Sequence, residues 1–542
     1  MIARKSLLIV VAQFFTRSLG WIGLVVLTKL WGDFAPEALG VIAFAMSFVG
    51  VINIITDLGF GQAHVKRVSE GKDLGTCIST FFTIKMTLTG VMAASVLLII
   101  FLLDNVFHLG FHDATKQSVV LVFLLYYVLL NIQQVASYTF NGKGEIAKMQ
   151  LTAIFENIIK VPLMILVALA GVGLIGLAPV IDWPAFLSPL QNFLAGRPIG
   201  SLAMAYVFGI ATTVIIGFWF MRKHPWKKPN LQLGKSYLTF ALPMFLYSII
   251  TTITTNIDKL LIGYFWTSIE VGYYFSLQQI LQIILVIAVG FNTVLFPAYS
   301  GYFAKKDFEK INDTTHITER YISMVAIPPV VVIIVFVNPV ISIMLNSSFL
   351  PASSTLIVLT LYAFLVSLMA PFYSLIIGVN QPGTYAKIGV GMSLINIILD
   401  LLLIPKSGLL SSVGINGPLG AAIAMVVANF VGFIVIRYSA KKLTRIKLIQ
   451  THTPRHIIAG AVMGVLLYLF AFQTPFFPAF HWYHLVFFAG IGLVIYLAVL
   501  YVLREFTKKD FRFFLELINP FEMLRYATSE IKEKDTHKKK KS

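Results

Sequence analysis

Nine charged side chains lie inside otherwise apolar stretches of the chain, and their types say what chemistry to look for. Five are cations, Arg17, Lys29, Lys85, Lys160 and Lys259, and four are acids, Asp57, Glu156, Asp258 and Asp400. A charge near the middle of a bilayer costs roughly 2.5–3.5 kcal/mol on insertion scales, so such groups face a protein interior or a watered cavity. Glu156 and Lys160 are four apart on one helix and can neutralise each other, while Lys29 and Lys259 sit near helix ends and can snorkel. Arg17, deep in the first apolar run, has no such exit and is expected to line a functional cavity. Asn396 and Asp400, in LINIILDLLLIP, are spaced to share one helix face.

Motifs of covalent and nucleotide chemistry are missing. No GxxxxGK[ST] occurs, and the nearest stretch, GVNQPGT at 378–384, lacks the lysine. HExxH, GxSxG and clustered Cys/His patterns are also absent. The single cysteine, Cys77, has no partner for an internal disulfide or a metal. No enzyme is expected. A membrane polymerase or ligase would need outward catalytic loops, and the one sizeable outer loop, about 171–199, is apolar and broken by prolines. It reads as a surface-lying flap.

The elements that must hold these charges are membrane spans. The chain has 542 residues, is 58% hydrophobic and only 12% charged, and has a mean hydropathy of +0.84. That balance excludes a soluble globular protein. With about 20 apolar residues needed per span, it divides into about fourteen transmembrane helices, an all-α polytopic fold. Of the 42 Lys and Arg residues, 34 fall in loops on the side of the N-terminus and five in spans, and the opposite loops hold only Lys116, Arg197 and Lys406. The positive-inside rule therefore puts both termini in the cytoplasm. The net charge of +18 is a topology signal rather than a nucleic-acid footprint, since the basic residues are spread over separate loops.

An internal repeat organises the spans. Lys5-Ser6 recurs as Lys235-Ser236, TKL at 28–30 as DKL at 258–260, the EALG ending at Gly40 as EVG ending at Gly272, and Lys72-Asp73 as Lys306-Asp307. Their order and near-constant spacing predict two six-helix lobes, residues 1–222 and 236–440, with the pathway between them. A cytoplasmic linker, 223–235, joins the lobes. Residues 441–503 add a basic loop and two further helices, and 504–542 form an amphipathic, basic tail expected to lie along the membrane surface. The repeat would set Lys29 and Lys259 facing each other across a pseudo-twofold axis.

The stretch TDLGFGQAHVKRVSEGKD, 56–73, closes the second span. Gly59 and Gly61 are expected to let the helix end and the backbone turn, which leaves Asp57 within a turn of the cytoplasmic surface as a gate. That stretch, with NIDKLLIGYFWTSIEVGYYFSLQQI at 256–280, resembles the oligosaccharide flippases of the multidrug/oligosaccharidyl-lipid/polysaccharide exporter superfamily, relatives of the lipid II flippases. The likeness covers most of residues 4–440.

The resemblance implies a V-shaped pair of lobes that open a central cavity alternately to each side of a cell membrane. The substrate would be a polyprenyl-(di)phosphate-linked oligosaccharide moved from the cytoplasmic to the outer leaflet, its tail staying among the membrane lipids. Such a head group needs cations for phosphate and hydrogen-bonding or aromatic groups for sugar. Arg17, Lys29, Lys85, Lys259 and Asn256 are the substrate-binding candidates. Arg17 and Lys29 match the basic first helix of the lipid II flippases, which carry more arginine there. The resemblance also implies a sodium site, with Asn396 and Asp400 joined by Asp258 or Asn256, so sodium or a proton is the expected coupling ion and no other cofactor is expected. A monomer with no nucleic-acid partner is expected. The rival reading is a cation-coupled multidrug exporter of the same superfamily, whose cationic cargo calls for cavity acids; five cations against four acids favour an anionic substrate.

Overall fold

The computed structural model describes residues 2–108, 110–111, 113–173, 176–181, 183–444, 452–472, 481–508 and 510. Fourteen α-helices of eighteen residues or more run through them, numbered here in chain order. α1 is Ile2–Trp31, α2 Ala35–Ile52, α3 Leu74–Asn105, α4 Ala114–Gly142, α5 Ile146–Leu169, α6 Pro198–Met221 and α7 Leu231–Phe265. α8 is Ser268–Ala304, α9 Phe308–Val335, α10 Ser353–Gly378, α11 Pro382–Leu403, α12 Gly417–Thr444, α13 His452–Phe472 and α14 Trp482–Val502. Lipid offers no partner for backbone N–H and C=O groups, and a helix satisfies all of them within one segment. The chain is an all-α polytopic membrane protein. Much of the tail expected along the membrane surface, and most of the basic loop before α13, lie outside the described residues.

Successive helices alternate in direction, so α1 begins and α14 ends at the same face of the bundle. Residues 222–230 also cross that face, called here the linker face; the opposite one is the far face. α1 packs on α5, α5 and α4 on α6, and α3 and α2 on α4. In the second set α8 packs on α10, α10 and α11 on α12, α9 on α10, and α7 on α11. α13 and α14 pack on each other and on the outside of α9. The flap at 171–199 carries one short helix, Ser188–Gly196, with Phe186 and Phe193 exposed.

The repeat seen in the sequence is a repeat of helix starts. Asp73 accepts from Thr76 N at 2.9 Å and caps α3, and Asp307 accepts from Lys310 N at 3.1 Å and caps α9. The same distance into each helix comes a buried charge, Lys85 in α3 and Glu319 in α9. Each has an ion partner inside its own lobe: Asp57 at 4.0 Å for Lys85, and Arg437 for Glu319.

The linker does more than join the lobes. Lys227 pairs with Asp73 at 2.7 Å and Asn230 N donates to Thr80 Oγ1 at 2.9 Å, which fixes the start of α7 against α3. Two turns on, Tyr237 is buried beside His64 and Phe81 of the first lobe. His64 meets Tyr237 OH at 3.1 Å and Thr139 Oγ1 at 3.0 Å and stacks on Phe81, and burial pushes its imidazole down to about 3, so it stays neutral. α7 thus begins on the first lobe and ends in the second.

Candidate functional site

The two lobes meet along α1 and α2 on one side and α7 and α8 on the other, and the far half of that seam is shut. α2 and α8 cross with almost no space between their backbones: a Cβ at Gly40 would lie 1.6 Å from Ser268 O, and one at Gly272 would lie 1.8 Å from Pro36 O. Between membrane helices there is little hydrophobic driving force, so such small-residue crossings, with their van der Waals and Cα–H···O contacts, do the holding. The contact is reciprocal, with Pro36 and Gly40 against Ser268 and Gly272, as the EALG and EVG recurrence implies. The start of α8 is held by Thr267 and Glu270, which cap each other's backbone.

Polar contacts complete the seal at the end of α1. Asn346 Nδ2 donates to Thr28 O at 2.6 Å and to Gly32 O at 2.8 Å, Ser348 Oγ donates to Asp33, and Lys29 Nζ donates to Ser342 O. Lys29 is therefore a clasp at the far face. Lys259 donates to Thr255 O within its own helix at 2.7 Å. Each of these two amines is thus held by a backbone carbonyl acceptor, Lys29 across the lobes and Lys259 within its own helix.

Deeper in the seam Arg17 of α1 donates to the side-chain carbonyl of Gln282 in α8. The guanidinium spans the gap between the lobes at mid-depth, and its partner is a neutral amide rather than a carboxylate. Asn256 is also at the seam: a Cβ at Gly50 of α2 would meet Tyr127 OH at 2.7 Å and Asn256 Oδ1 at 3.5 Å. That placement takes Asn256 away from the acids on α11, so of the two alternative third ligands the geometry selects Asp258.

Lys85 departs from its expected place on the substrate surface. It is 1% exposed, donates to Thr56 O at 2.8 Å and lies 4.0 Å from Asp57. Thr56 is itself bonded to Asn131, and Asn131 to Asn53. Lys85 belongs to this buried network, which positions Asp57 at the lobe's inner edge, because a lysine taken out of water must keep a carboxylate and acceptors beside it. Gly59 turns the chain with φ at +87°, as expected, whereas Gly61 lies inside the next helix and is small because a Cβ would sit 2.3 Å from the Tyr138 ring.

The acids on α7 and α11 do come together. Asp258 and Asp400 are both buried and near enough for their carboxyl groups to act on each other, and Asn396 is buried one turn from Asp400. Tyr274 OH of α8 donates to Asp258 Oδ2 at 2.6 Å and touches Met425 S of α12 at 3.7 Å. Among the described residues, Asp258 Oδ1, both oxygens of Asp400 and both polar atoms of Asn396 have no hydrogen-bond partner. Two carboxyl groups in an apolar interior hold together only around a shared proton or a cation. The available oxygens, from two carboxyl groups and one amide, are the kind that hard cations take. Tyr274 and Gln282 were not singled out from the sequence; the signal for both was a polar side chain inside an apolar run.

Fold and sequence comparisons agree on kinship. A curated relative from Haloferax volcanii, the probable low-salt glycan biosynthesis flippase Agl15, is 22% identical over 480 residues, covering 87% of this chain and 90% of that one. Among solved structures, the lipid II flippase MurJ in an inward closed conformation shares the fold at a TM-score of 0.69 and 19% identity, covering 92% of this chain and 98% of that one. A multidrug resistance MATE family transporter of the MOP superfamily, inward-facing, follows at 0.59 and 15% identity, covering 78% and 94%. The profile of the family described as polysaccharide biosynthesis protein matches residues 2–303, which takes in the first lobe, the linker and the two helices that shut the seam. The chain belongs to the polysaccharide biosynthesis protein family.

Proposed function

We propose that the chain is an alternating-access flippase that carries a polyprenyl-(di)phosphate-linked oligosaccharide from the cytoplasmic to the outer leaflet of the cell membrane, without covalent chemistry. The observation that carries this reading is Arg17, a guanidinium bridging two lobes at mid-depth beneath a sealed far face, whose partner among the described residues is a neutral amide. A fixed cation there offers a diphosphate a replacement for the water it leaves. The other charges at membrane depth support an anionic cargo over a cationic drug. Asp57 is paired with Lys85, Glu156 with Lys160 and Glu319 with Arg437, so these acids are already neutralised. Family membership and the flippase relatives support the same reading.

The basic linker face is read as the cytoplasmic one, which makes the sealed far face external and leaves entry to the side where lipid-linked sugars are assembled. Asp258, Asn396 and Asp400 would hold sodium or a proton, and neutralising the two carboxylates is what that ion supplies. The chain is read as a working monomer, since each lobe finds its counterpart within the same chain. Proteoliposomes holding a fluorescent polyprenyl diphosphate oligosaccharide and an external glycosidase test the transport. Digestion beyond the half that starts in the outer leaflet, only in vesicles containing the protein, is expected; digestion that stops at half with the folded protein present overturns the proposal.

A further inference from the structure

α1 and α8 run antiparallel across the seam, and Arg17 bonded to Gln282 fixes their register. One helical turn outward from that rung stand Trp21 on α1 and Gln278 on α8, and one turn inward stands Gln13 on α1. Residues four apart share a helix face, so Gln13, Arg17 and Trp21 form one stripe and Gln278 and Gln282 another, set against it. The stripe is polar where the bilayer is driest. It is also unsatisfied: Gln13 Oε1 and Trp21 Nε1 are buried with no hydrogen-bond partner among the described residues.

A buried amide carbonyl or indole N–H left unpaired costs about 1–3 kcal/mol. Asn131 avoids that cost by bonding both Thr56 and Asn53, whereas Asn157, whose Nδ2 donates to Thr16 O at 3.0 Å, keeps a buried and unpartnered Oδ1 beside the same helix. The neutral groups on the α1 stripe are kept waiting for something that supplies both donors and acceptors. Phosphate supplies only acceptors, which satisfy Arg17 and the indole N–H but leave the glutamine carbonyls as they are. A sugar ring supplies hydroxyls of both kinds and a flat C–H face that lies on an indole.

We propose that Trp21 and Gln278, with Gln13 and Gln282 on the adjoining rungs, form a saccharide-reading subsite for the sugar residue next to the diphosphate, which Arg17 holds. This rests on the flippase reading. In the sealed state Gln282 occupies Arg17, so the subsite is complete only when the lobes part and both side chains are released to the head group. Sugar selectivity then resides in the seam itself, in the same side chains that close on each other when the cavity is empty.

Binding to the full-length protein in detergent separates the parts. The probes are geranylgeranyl diphosphate bearing one glucose, the same lipid bearing one N-acetylglucosamine, and the sugar-free lipid. The wild type is expected to bind at least one sugar-bearing lipid more tightly than the sugar-free one. Gln278→Ala and Trp21→Phe, which keeps an aromatic face but loses the indole N–H, should each weaken that lipid by about tenfold, the scale of one lost hydrogen bond, and leave the sugar-free lipid unchanged. Arg17→Ala should weaken all three. Equal binding of all three lipids by the wild type, or variants that lower all three alike, would overturn the subsite while leaving the flippase reading in place. A wild type that binds none of them would overturn both.

Discussion

At the scale of single residues, the central question is which charges are in use and which are free to work. Lys85 looked like a cavity cation from sequence because an isolated lysine in an apolar run signals function; its partner Asp57 is on another helix, and only the fold brings them to 4.0 Å. The acid pair was the reverse case. Asn396 and Asp400 share a face by spacing alone, but what makes them a site is Asp258 arriving from α7 with Tyr274 behind it. Sodium should therefore raise the melting temperature of the purified protein by a few degrees where potassium at equal ionic strength does not. In Asp400→Asn the sodium effect should vanish, and the sodium-free protein should melt higher than wild type because one buried, unpaired carboxylate is gone. Identical melting in sodium and potassium would rule out a sodium site.

At the scale of elements, the spans were legible because membrane helices must be long, apolar and internally hydrogen-bonded, so composition alone nearly fixes them. The recurrence of Lys72-Asp73 as Lys306-Asp307 was legible too, but that these acids cap α3 and α9 at equivalent places is seen only in the fold. How the helices cross was not legible. EALG and EVG recur in the sequence only as a repeat, yet their glycines bring the backbones of the two lobes together, a property of three-dimensional packing that spacing does not reveal. Gly40→Ala should push Ser268 away and destabilise the shut far face by about 1–3 kcal/mol, roughly a 5- to 150-fold shift in population. Ser276→Cys, fully buried one turn inward of Gly272, reports it. Its labelling by a membrane-impermeant maleimide should be slow alone and faster by about that factor when Gly40→Ala is added; unchanged labelling would mean that the crossing does not hold the far face shut.

At the scale of the whole molecule, the two lobes, the sealed far face and the linker that ties α7 to the first lobe make a device with one shut end and a mid-depth cation between its halves. The lysines at positions 29 and 259, expected to share the cargo, are instead bonded to backbone carbonyls near the far face. That leaves Arg17 as the cation on which the account depends. In proteoliposomes matched for folded protein, the rate at which a labelled polyprenyl diphosphate oligosaccharide becomes accessible to an external glycosidase should fall at least tenfold in Arg17→Ala, with Lys29→Ala falling less. An undiminished rate in the Arg17→Ala protein would contradict the account, because no cation at the seam would then be carrying the substrate.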